Sequence, residues 1–377
     1  MKLALTRLRT SGNPYPDLHC RAIMSSKPLQ IALALLAASP ALAQLALEPY
    51  WSVAPVNATT FPDSNNLTRG GGFNPVTGNL LVASRAGGTG VRILDGATGT
   101  EKGTLNVTGI AGGTFALNTV AVAADGSIYG ANLVTDAATS PFRVYRWANE
   151  SAVPTLVYSG NPGAGRFGDT FAVRGSGSTT EIIAGQGGTG VATATRLFHL
   201  GTADGSTYTP STLTVTGITG GDLRLGLDFG AGNTIFAKQG SALRYVSYDV
   251  NSLTATLTSS FTLGTGGGTA GPLAYADGIL VAYAYAPTAG PNSVNVYQVD
   301  SLVTTGNNVP ADFELLGTSN ANANGVGGVD FNADRSIVYV IAPNNGIHAF
   351  RVIPEPGTWA LLGVGSALLA WSIRRRA

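Results

Sequence analysis

The chain has 377 residues, of which 11% are charged, and its 22 lysines and arginines against 21 aspartates and glutamates give a formal net charge of +1. Basic residues form no cluster between the two ends of the chain, which excludes a nucleic-acid-binding surface. The single cysteine, Cys20, precedes a predicted export signal, so the body is predicted to have no disulfide, thiolate metal site or cysteine nucleophile.

The first 43 residues are predicted to direct export. Residues 24–43 have the order of a signal peptide: a positive Lys27, an apolar run, and a small-x-small cleavage site at Ala41 and Ala43. Residues 1–23 are polar and carry three arginines, which does not fit this plan. We interpret them as a gene-model extension upstream of Met24, or alternatively as an unusually long n-region.

The charge of the body differs from that of the whole chain. The N-terminal segment takes away five basic and one acidic residue, and the C-terminal segment three basic and one acidic, which leaves 14 and 19 in residues 44–353. The predicted mature body is therefore acidic, with a net charge of about −5. Its length is ample for a hydrophobic core without disulfides.

Two internal repeats organise the body. Residues 86–91 recur almost intact at 186–191, and residues 107–113 recur at 215–221, which gives spacings of 100 and 108 residues. Between them, runs of Val, Ile, Tyr, Phe and Thr alternate with Asp-Gly, Thr-Gly and Gly-Asn pairs, the pattern of β-hairpins. A unit of about 50 residues with four antiparallel strands is typical of a β-propeller blade.

The sequence predicts an all-β fold, a six-bladed β-propeller over residues 44–353, with seven blades as the alternative. The last unit has only three strands, and Leu45–Val53 is predicted to supply its fourth strand, so that the ring closes without an open sheet edge. A β-sandwich array and a β-solenoid stay open as alternatives.

Carboxylates near the predicted inner strands are the candidates for chemistry. Asp169 and Asp330 are the weak catalytic candidates, and Asp222 and Asp228 flank another inner strand. Paired carboxylates in a channel bind a cation or act as acid and base in glycan cleavage. The alternative is that these side chains cap turns by accepting backbone N–H groups.

Arginines near the same strands are the candidates for binding an anionic sugar. They are Arg69, Arg85, Arg166, Arg174 and Arg224, of which Arg166 and Arg224, together with Asp228, are the binding candidates. Ion pairs with the nearby aspartates are the simpler alternative.

No cofactor and no metal site are predicted. The body has two distant histidines, His199 and His348, whereas a metal site needs several converging ligands. The Gly-Gly-Thr-Gly segments lack the lysine and the helix that a phosphate-binding loop requires.

The C-terminal tail has three parts. Pro354, Glu355 and Pro356 precede an uncharged apolar stretch, 357–373, which is just long enough to span a bilayer as a helix. The arginine run Arg374, Arg375 and Arg376 follows, and such a run stays on the cytoplasmic side. The body must then lie outside, on the side of the membrane opposite the cytoplasm.

This three-part tail, 354–377, resembles the PEP-CTERM sorting signal of bacterial surface and extracellular-polymer proteins. The resemblance implies export, transient anchoring in the inner membrane by a transmembrane helix, and processing by an exosortase-type enzyme. A permanent anchor without cleavage is the alternative.

Together these features predict an exported cell-surface or extracellular-matrix protein, a non-enzymatic structural or binding module. Its partners would be the export machinery, the exosortase-type enzyme, and extracellular polysaccharide or a surface protein. The alternative is an extracellular glycan lyase or hydrolase that uses carboxylates in the propeller channel.

Overall fold

A computed structural model describes residues 45–187, 195–219, 221–264, 269–288, 290–320 and 326–354 of the protein. The predicted signal peptide, the residues before it, and the sorting signal from Glu355 onward lie outside the described residues. The described part is all-β, with 25 strands and two 3₁₀ turns, Gly177–Thr179 and Val299–Ser301. The prediction of an all-β body is confirmed.

Four sheets contain four strands each. The first has the strands β2 (Thr68–Asn74), β3 (Asn79–Ser84), β4 (Gly90–Asp95) and β5 (Glu101–Thr104). The second has β6 (Phe115–Val122), β7 (Ile128–Leu133), β8 (Phe142–Trp147) and β9 (Thr155–Gly160). The third has β18 (Thr269–Ala276), β19 (Ile279–Tyr285), β20 (Asn292–Gln298) and β22 (Asp312–Gly317). The fourth has β23 (Gly328–Phe331), β24 (Ile337–Ala342), β25 (Gly346–Pro354) and β1 (Leu45–Val53).

A fifth sheet joins two groups of four antiparallel strands. One group is β10 (Ala172–Arg174), β11 (Glu181–Gly185), β12 (Thr195–Thr202) and β13 (Tyr208–Thr216). The other is β14 (Gly226–Phe229), β15 (Thr234–Gln239), β16 (Ala242–Asp249) and β17 (Thr254–Leu263). The outer strands β13 and β17 pair in parallel over three positions, and the two-residue strand β21 (Asn307–Asn308) also pairs with β17.

Tight hairpins connect the first two strands of these groups. Gly78 and Gly126 lie in two of the turns with φ of 74° and 83°, a conformation that glycine adopts without steric cost. The second strand of a group is buried along its whole length in β3 and β7, and in β19 except at its first residue. The outermost strands β5 and β9 contain no buried residue.

The arrangement is propeller-like. The first strands of the groups contact one another in a closed cycle, β2 to β6, β10, β14, β18, β23 and back to β2. Neighbouring sheets pack face to face; one apolar cluster, for example, joins Tyr283 and Val294 of one sheet to Val340 and Phe350 of the next. The inner strands therefore surround a central channel, and the core lies between the sheets.

The two ends of the described chain pair with each other, as the sequence predicts. Strand β1 runs antiparallel to β25, from Leu45 opposite Pro354 to Val53 opposite Ile347, with one irregularity after Pro49. Leu45 and Leu47 are buried against the last sheet and its neighbour.

None of the described residues forms a helix long and apolar enough to cross a membrane. The predicted transmembrane segment, 357–373, lies outside the described residues.

Candidate functional site

The central channel has two ends with different linings. A cavity of about 50 Å³ lies where the inner strands begin, beside Asp169, Thr119 and Gly328. A cavity of about 440 Å³ lies where the inner strands pass into their first hairpins, beside Phe73, Asp228 and Asp330. We call the first the arginine end, after the side chains described next, and the second the hairpin end.

One carboxylate holds two arginines at the arginine end. Asp169 Oδ2 accepts hydrogen bonds from Arg166 Nε at 2.5 Å and Arg224 Nε at 2.9 Å, and Asp169 Oδ1 accepts one from Arg166 Nη2 at 2.8 Å. The Asp169 side chain is only 3% exposed. The structure therefore brings together three of the predicted site residues, in the ion pairs that were the simpler alternative.

Glycine at position 168 is required for this arrangement. Its φ is 95°, and a Cβ there would lie 1.9 Å from the carbonyl oxygen of Asn132. No other residue fits without movement of the backbone, so Gly168 directs the following Asp169 toward its two arginines.

Two further arginines lie beside this group and form no ion pair within the described residues. Arg69 is 1% exposed, and its Nε donates to Asn118 Oδ1 at 2.7 Å. The guanidinium carbons of Arg85 and Arg69 lie 3.7 and 5.0 Å from the ring centroid of Phe115. Burial, and next the charge of Arg85, lower the pKa of Arg69 to about 9, so Arg69 is cationic at neutral pH. Burial also lowers the pKa of Arg85.

The middle of the channel holds Asp228 and Asp330, which share a small cavity of about 90 Å³. Asp228 accepts from the backbone N–H groups of Tyr275 at 2.7 Å and Phe229 at 2.8 Å. Asp330 accepts from Phe73 at 2.7 Å and Phe331 at 2.8 Å in the same way. Each carboxylate thus joins its own inner strand to the next one around the channel.

The channel disfavours the charged form of both carboxyl groups. Burial and, to a lesser degree, the charge of Asp330 together raise the pKa of Asp228 to about 7, against the opposing N–H bonds. Burial raises the pKa of Asp330 to about 6. Arg174 and Arg335 line the wider cavity toward the hairpin end, but no described cation lies within ion-pair distance of either carboxylate.

These pKa values predict an unusual pH dependence of stability. The folded protein holds protons on Asp228 and Asp330 that the unfolded chain releases near pH 4, so their contribution to stability is complete below pH 4 and is lost as the pH rises toward 7. Each group contributes a slope of up to about 1.4 kcal/mol per pH unit. The free energy of unfolding, measured by urea denaturation from pH 5 to 7.5, is expected to show this loss.

A double variant, Asp228→Asn with Asp330→Asn, is the control. Its absolute stability differs because each asparagine loses one acceptor oxygen, but its stability should fall less with pH. The lowered pKa of buried His348 acts in the opposite direction and cancels in the comparison. A constant difference between wild type and variant over this range would show that the pair does not titrate there.

The hairpin end carries Arg174, away from the other four candidate arginines. Arg174 pairs with Glu181 and donates to Tyr248 Oη at 2.7 Å, and its guanidinium lies 4.4 Å from the centroid of Phe229. Arg335 and Asp277 form an exposed ion pair at the rim of the same cavity.

The remaining candidates lie apart. Asp222 pairs with Arg244 at 3.3 Å. His199 Nε2 lies 3.0 Å from Glu181 Oε1, and His348 Nε2 lies 3.0 Å from the Asn345 carbonyl oxygen. No group of three potential metal ligands occurs in the part of the chain that the structure describes.

Asp312 is not among the residues predicted from the sequence, but it accepts backbone N–H groups and links two sheets as Asp228 and Asp330 do. Asp312 accepts from Leu47 N at 2.7 Å and from Phe313 N at 2.9 Å, and so connects β22 to β1 of the next sheet. All three aspartates are followed by phenylalanine, and the dipeptide Asp-Phe at 228, 312 and 330 is the sequence signal that identifies them.

Comparisons with known proteins address family and fold. The model of a domain of unknown function, DUF4623, matches residues 50–321, and that of the PEP-CTERM protein-sorting motif matches residues 352–376. A crystal structure of a DUF4623 family protein from Bacteroides eggerthii is 19% identical with a TM-score of 0.55, and the match covers 77% of this chain and 72% of that one. This likeness shows the fold alone.

A gluconolactonase from Xanthomonas campestris is 13% identical with a TM-score of 0.46, over 76% of this chain and 86% of that one. This likeness is too weak to support an argument. No curated protein matches the sequence.

Proposed function

The chain belongs to the DUF4623 family and carries a PEP-CTERM sorting motif, and on this premise we propose that it is an exported, non-enzymatic binding module. The sorting motif implies an exported surface protein and processing by an exosortase-type enzyme. The binding role is the part that the following observations support.

We propose six blades for the body. Twenty-four of the 25 described strands fall into six groups of four, when the fifth sheet is counted as two blades. The contact between β13 and β17 is parallel, whereas the strands within each group of four pair in the antiparallel sense. The closed cycle of six inner strands supports the same count.

In the proposed order of export and processing, the signal peptide is first removed after Ala43. The segment 357–373 then anchors the chain transiently, and cleavage near Pro354, Glu355 and Pro356 releases a body of residues 44–353. Leu45 and Pro354 pair with each other, so both removable segments join the body at the end of one strand pair.

The proposed ligand is extracellular polysaccharide, bound at the arginine end. The observation that carries this proposal is that four arginines, Arg69, Arg85, Arg166 and Arg224, lie near only two carboxylates, Asp63 and Asp169, in a body of net negative charge. Arginines that exceed their carboxylate partners are suited to bind an acidic polymer.

The test is binding of the exported protein to alginate, dextran sulfate and neutral dextran. We expect binding to the acidic polymers that weakens with added salt, because exposed charge interactions are screened. We also expect no release of reducing ends or unsaturated products. Absence of binding to all three polymers would refute a polysaccharide-binding role.

Catalysis is the second candidate, because Asp228 and Asp330 lie next to a cavity of about 440 Å³, large enough for a sugar unit. The enzyme alternative rests on this pair, since Asp169 lies at the other end with both oxygens bound by arginines. Product formation that disappears in Asp330→Asn, with binding retained, would favour a glycan hydrolase or lyase.

A further inference from the structure

We propose that Arg69, Arg85 and Phe115 form the subsite that binds the oxyanion of an acidic sugar, a carboxylate or a sulfate. This inference rests on the proposed function, because it names the group on the polysaccharide that the arginine end recognises. It separates these two arginines from Arg166 and Arg224, whose charge is already shared with Asp169.

Arg69 and Arg85 have no counter-ion in contact with them among the described residues. Within the described residues neither Arg69 nor Arg85 has a carboxylate within ion-pair distance, whereas seven of the other ten arginines of the body do: Arg92, Arg166, Arg174, Arg224, Arg244, Arg335 and Arg351. The segments of the body outside the described residues, 188–194, 220, 265–268, 289 and 321–325, contain no Asp or Glu and supply none. A buried, uncompensated charge is costly, and an anionic ligand removes that cost.

Asp63 is close enough to act on both arginines but does not neutralise them by contact. Its Oδ1 accepts from Asn65 N and Leu67 N at 2.8 Å each, and its Oδ2 accepts from the Thr68 amide and hydroxyl at 2.5 Å each. These four bonds fix Asp63 to the loop that precedes β2. The four arginines of this end therefore exceed their nearby carboxylates, Asp63 and Asp169, by two charges.

Two polar atoms beside these arginines have unused hydrogen-bonding capacity. Arg85 Nη2 and Arg69 Nη1 both donate to the Asn66 carbonyl oxygen, at 3.1 and 3.4 Å. Arg85 Nε and Asn66 Oδ1 are buried, and neither has a partner among the described residues. A sugar acid offers both complements, an oxyanion that accepts from Arg85 and a hydroxyl that donates to Asn66.

The guanidinium of Arg85 is preorganised for binding. Phe115 is half-buried, and its ring holds the Arg85 guanidinium at 3.7 Å from the centroid, a favourable cation–π contact. An arginine that is already fixed loses little conformational entropy when it binds a ligand. Arg85 and Phe115 form the accessible part of the subsite, and Arg69 lies beneath them.

The experiment measures binding of glucuronate, glucose 6-sulfate and glucose to the exported protein by calorimetry and by thermal shift at low ionic strength. We expect both anions to bind and to raise the Tm, and glucose to do neither. Arg85→Gln should weaken anion binding at least tenfold, which corresponds to about 1.4 kcal/mol. Its Tm without ligand should stay the same or rise, because the replacement relieves repulsion between Arg85 and Arg69.

Arg351→Gln is the matched control, since Arg351 also lies over an aromatic ring, Tyr50 at 4.5 Å, but has the carboxylate partner Glu48. It should leave anion binding unchanged, and Arg85→Lys should retain part of it. Equal anion affinity of wild type and Arg85→Gln would overturn the inference, as would a lowered Tm of Arg85→Gln combined with no anion response in the wild type.

The outcomes also separate this inference from the proposed function. If the wild type binds dextran as well as alginate and Arg85→Gln changes neither, polysaccharide binding stands and the oxyanion subsite is refuted. If glucuronate binds through Arg85 but no polymer binds, the subsite stands and the polysaccharide role is refuted.

Discussion

Deletion of Leu45–Val53 is expected to abolish cooperative folding of the monomer. This strand completes the last sheet, pairs with β25 along its length, and buries Leu45 and Leu47 in the apolar cluster between two sheets. Its loss exposes β25 as an open edge, which favours edge-to-edge association. Urea denaturation and size-exclusion chromatography are the measurements, and the expected result is a broad, early transition with soluble oligomers.

A point variant tests the same closure more gently. Leu47→Ala should lower the free energy of unfolding by about 3 kcal/mol, since it leaves a cavity at a side chain that is 4% exposed. The neighbouring Glu48→Ala removes only an exposed pair with Arg351 and should cost less than about 0.5 kcal/mol. Similar unfolding midpoints for the two variants would show that β1 does not stabilise the ring.

Asp169→Asn is expected to destabilise the protein by about 3 kcal/mol or more. The replacement keeps the size of the side chain but removes the charge that holds Arg166 and Arg224, which are 14% and 18% exposed. Breaking a buried ion pair leaves uncompensated charge, and the usual cost is about 3–5 kcal/mol. The free energy of unfolding at neutral pH is the measurement.

Asp277→Asn is the matched control, because Asp277 pairs with Arg335 at a site where both side chains are about half exposed or more. This change should cost less than about 1 kcal/mol. If Asp169→Asn proved as mild as Asp277→Asn, the two arginines would have to find other partners on loss of Asp169, and the cluster would be less constrained than its geometry indicates.

Much of the fold follows from local sequence signals. Asp-Gly and Thr-Gly turns between β-branched runs predict the hairpins, and the unit of about 50 residues predicts the groups of four strands. The closing strand is predictable because the last unit lacks a fourth strand. The union of two groups through β13 and β17 is not predictable, because Thr214–Thr216 and Thr254–Thr256 lie on outer strands far apart in sequence, with no pattern that selects a partner.

The candidate site was predictable only in part. Assignment of the inner strands correctly brings Asp228 and Asp330 to the channel, because alternate residues of such a strand face it. Asp169 does not join them, since it precedes β10 and turns toward Arg166 and Arg224. Arg174 is the last residue of β10, farther along the chain than Asp169. This separation along the inner strand places Arg174 at the opposite end of the channel.

The shared cavity of Asp228 and Asp330 could not be deduced, because it depends on how the inner strands are arranged around the channel. The missing counter-ions of Arg69 and Arg85 were equally hidden. A sequence shows how many charges a chain has, whereas only the fold shows which of them meet.

The pairing of Leu45 with Pro354 has a consequence for how this ring can be cut and rejoined. Because both termini of the body lie side by side, a short peptide could join them with little loss of stability. New termini at an exposed turn elsewhere would then give a circular permutant with the same fold. The position of the termini is then one among several equivalent choices, and this one would give both predicted transport segments a common point of attachment.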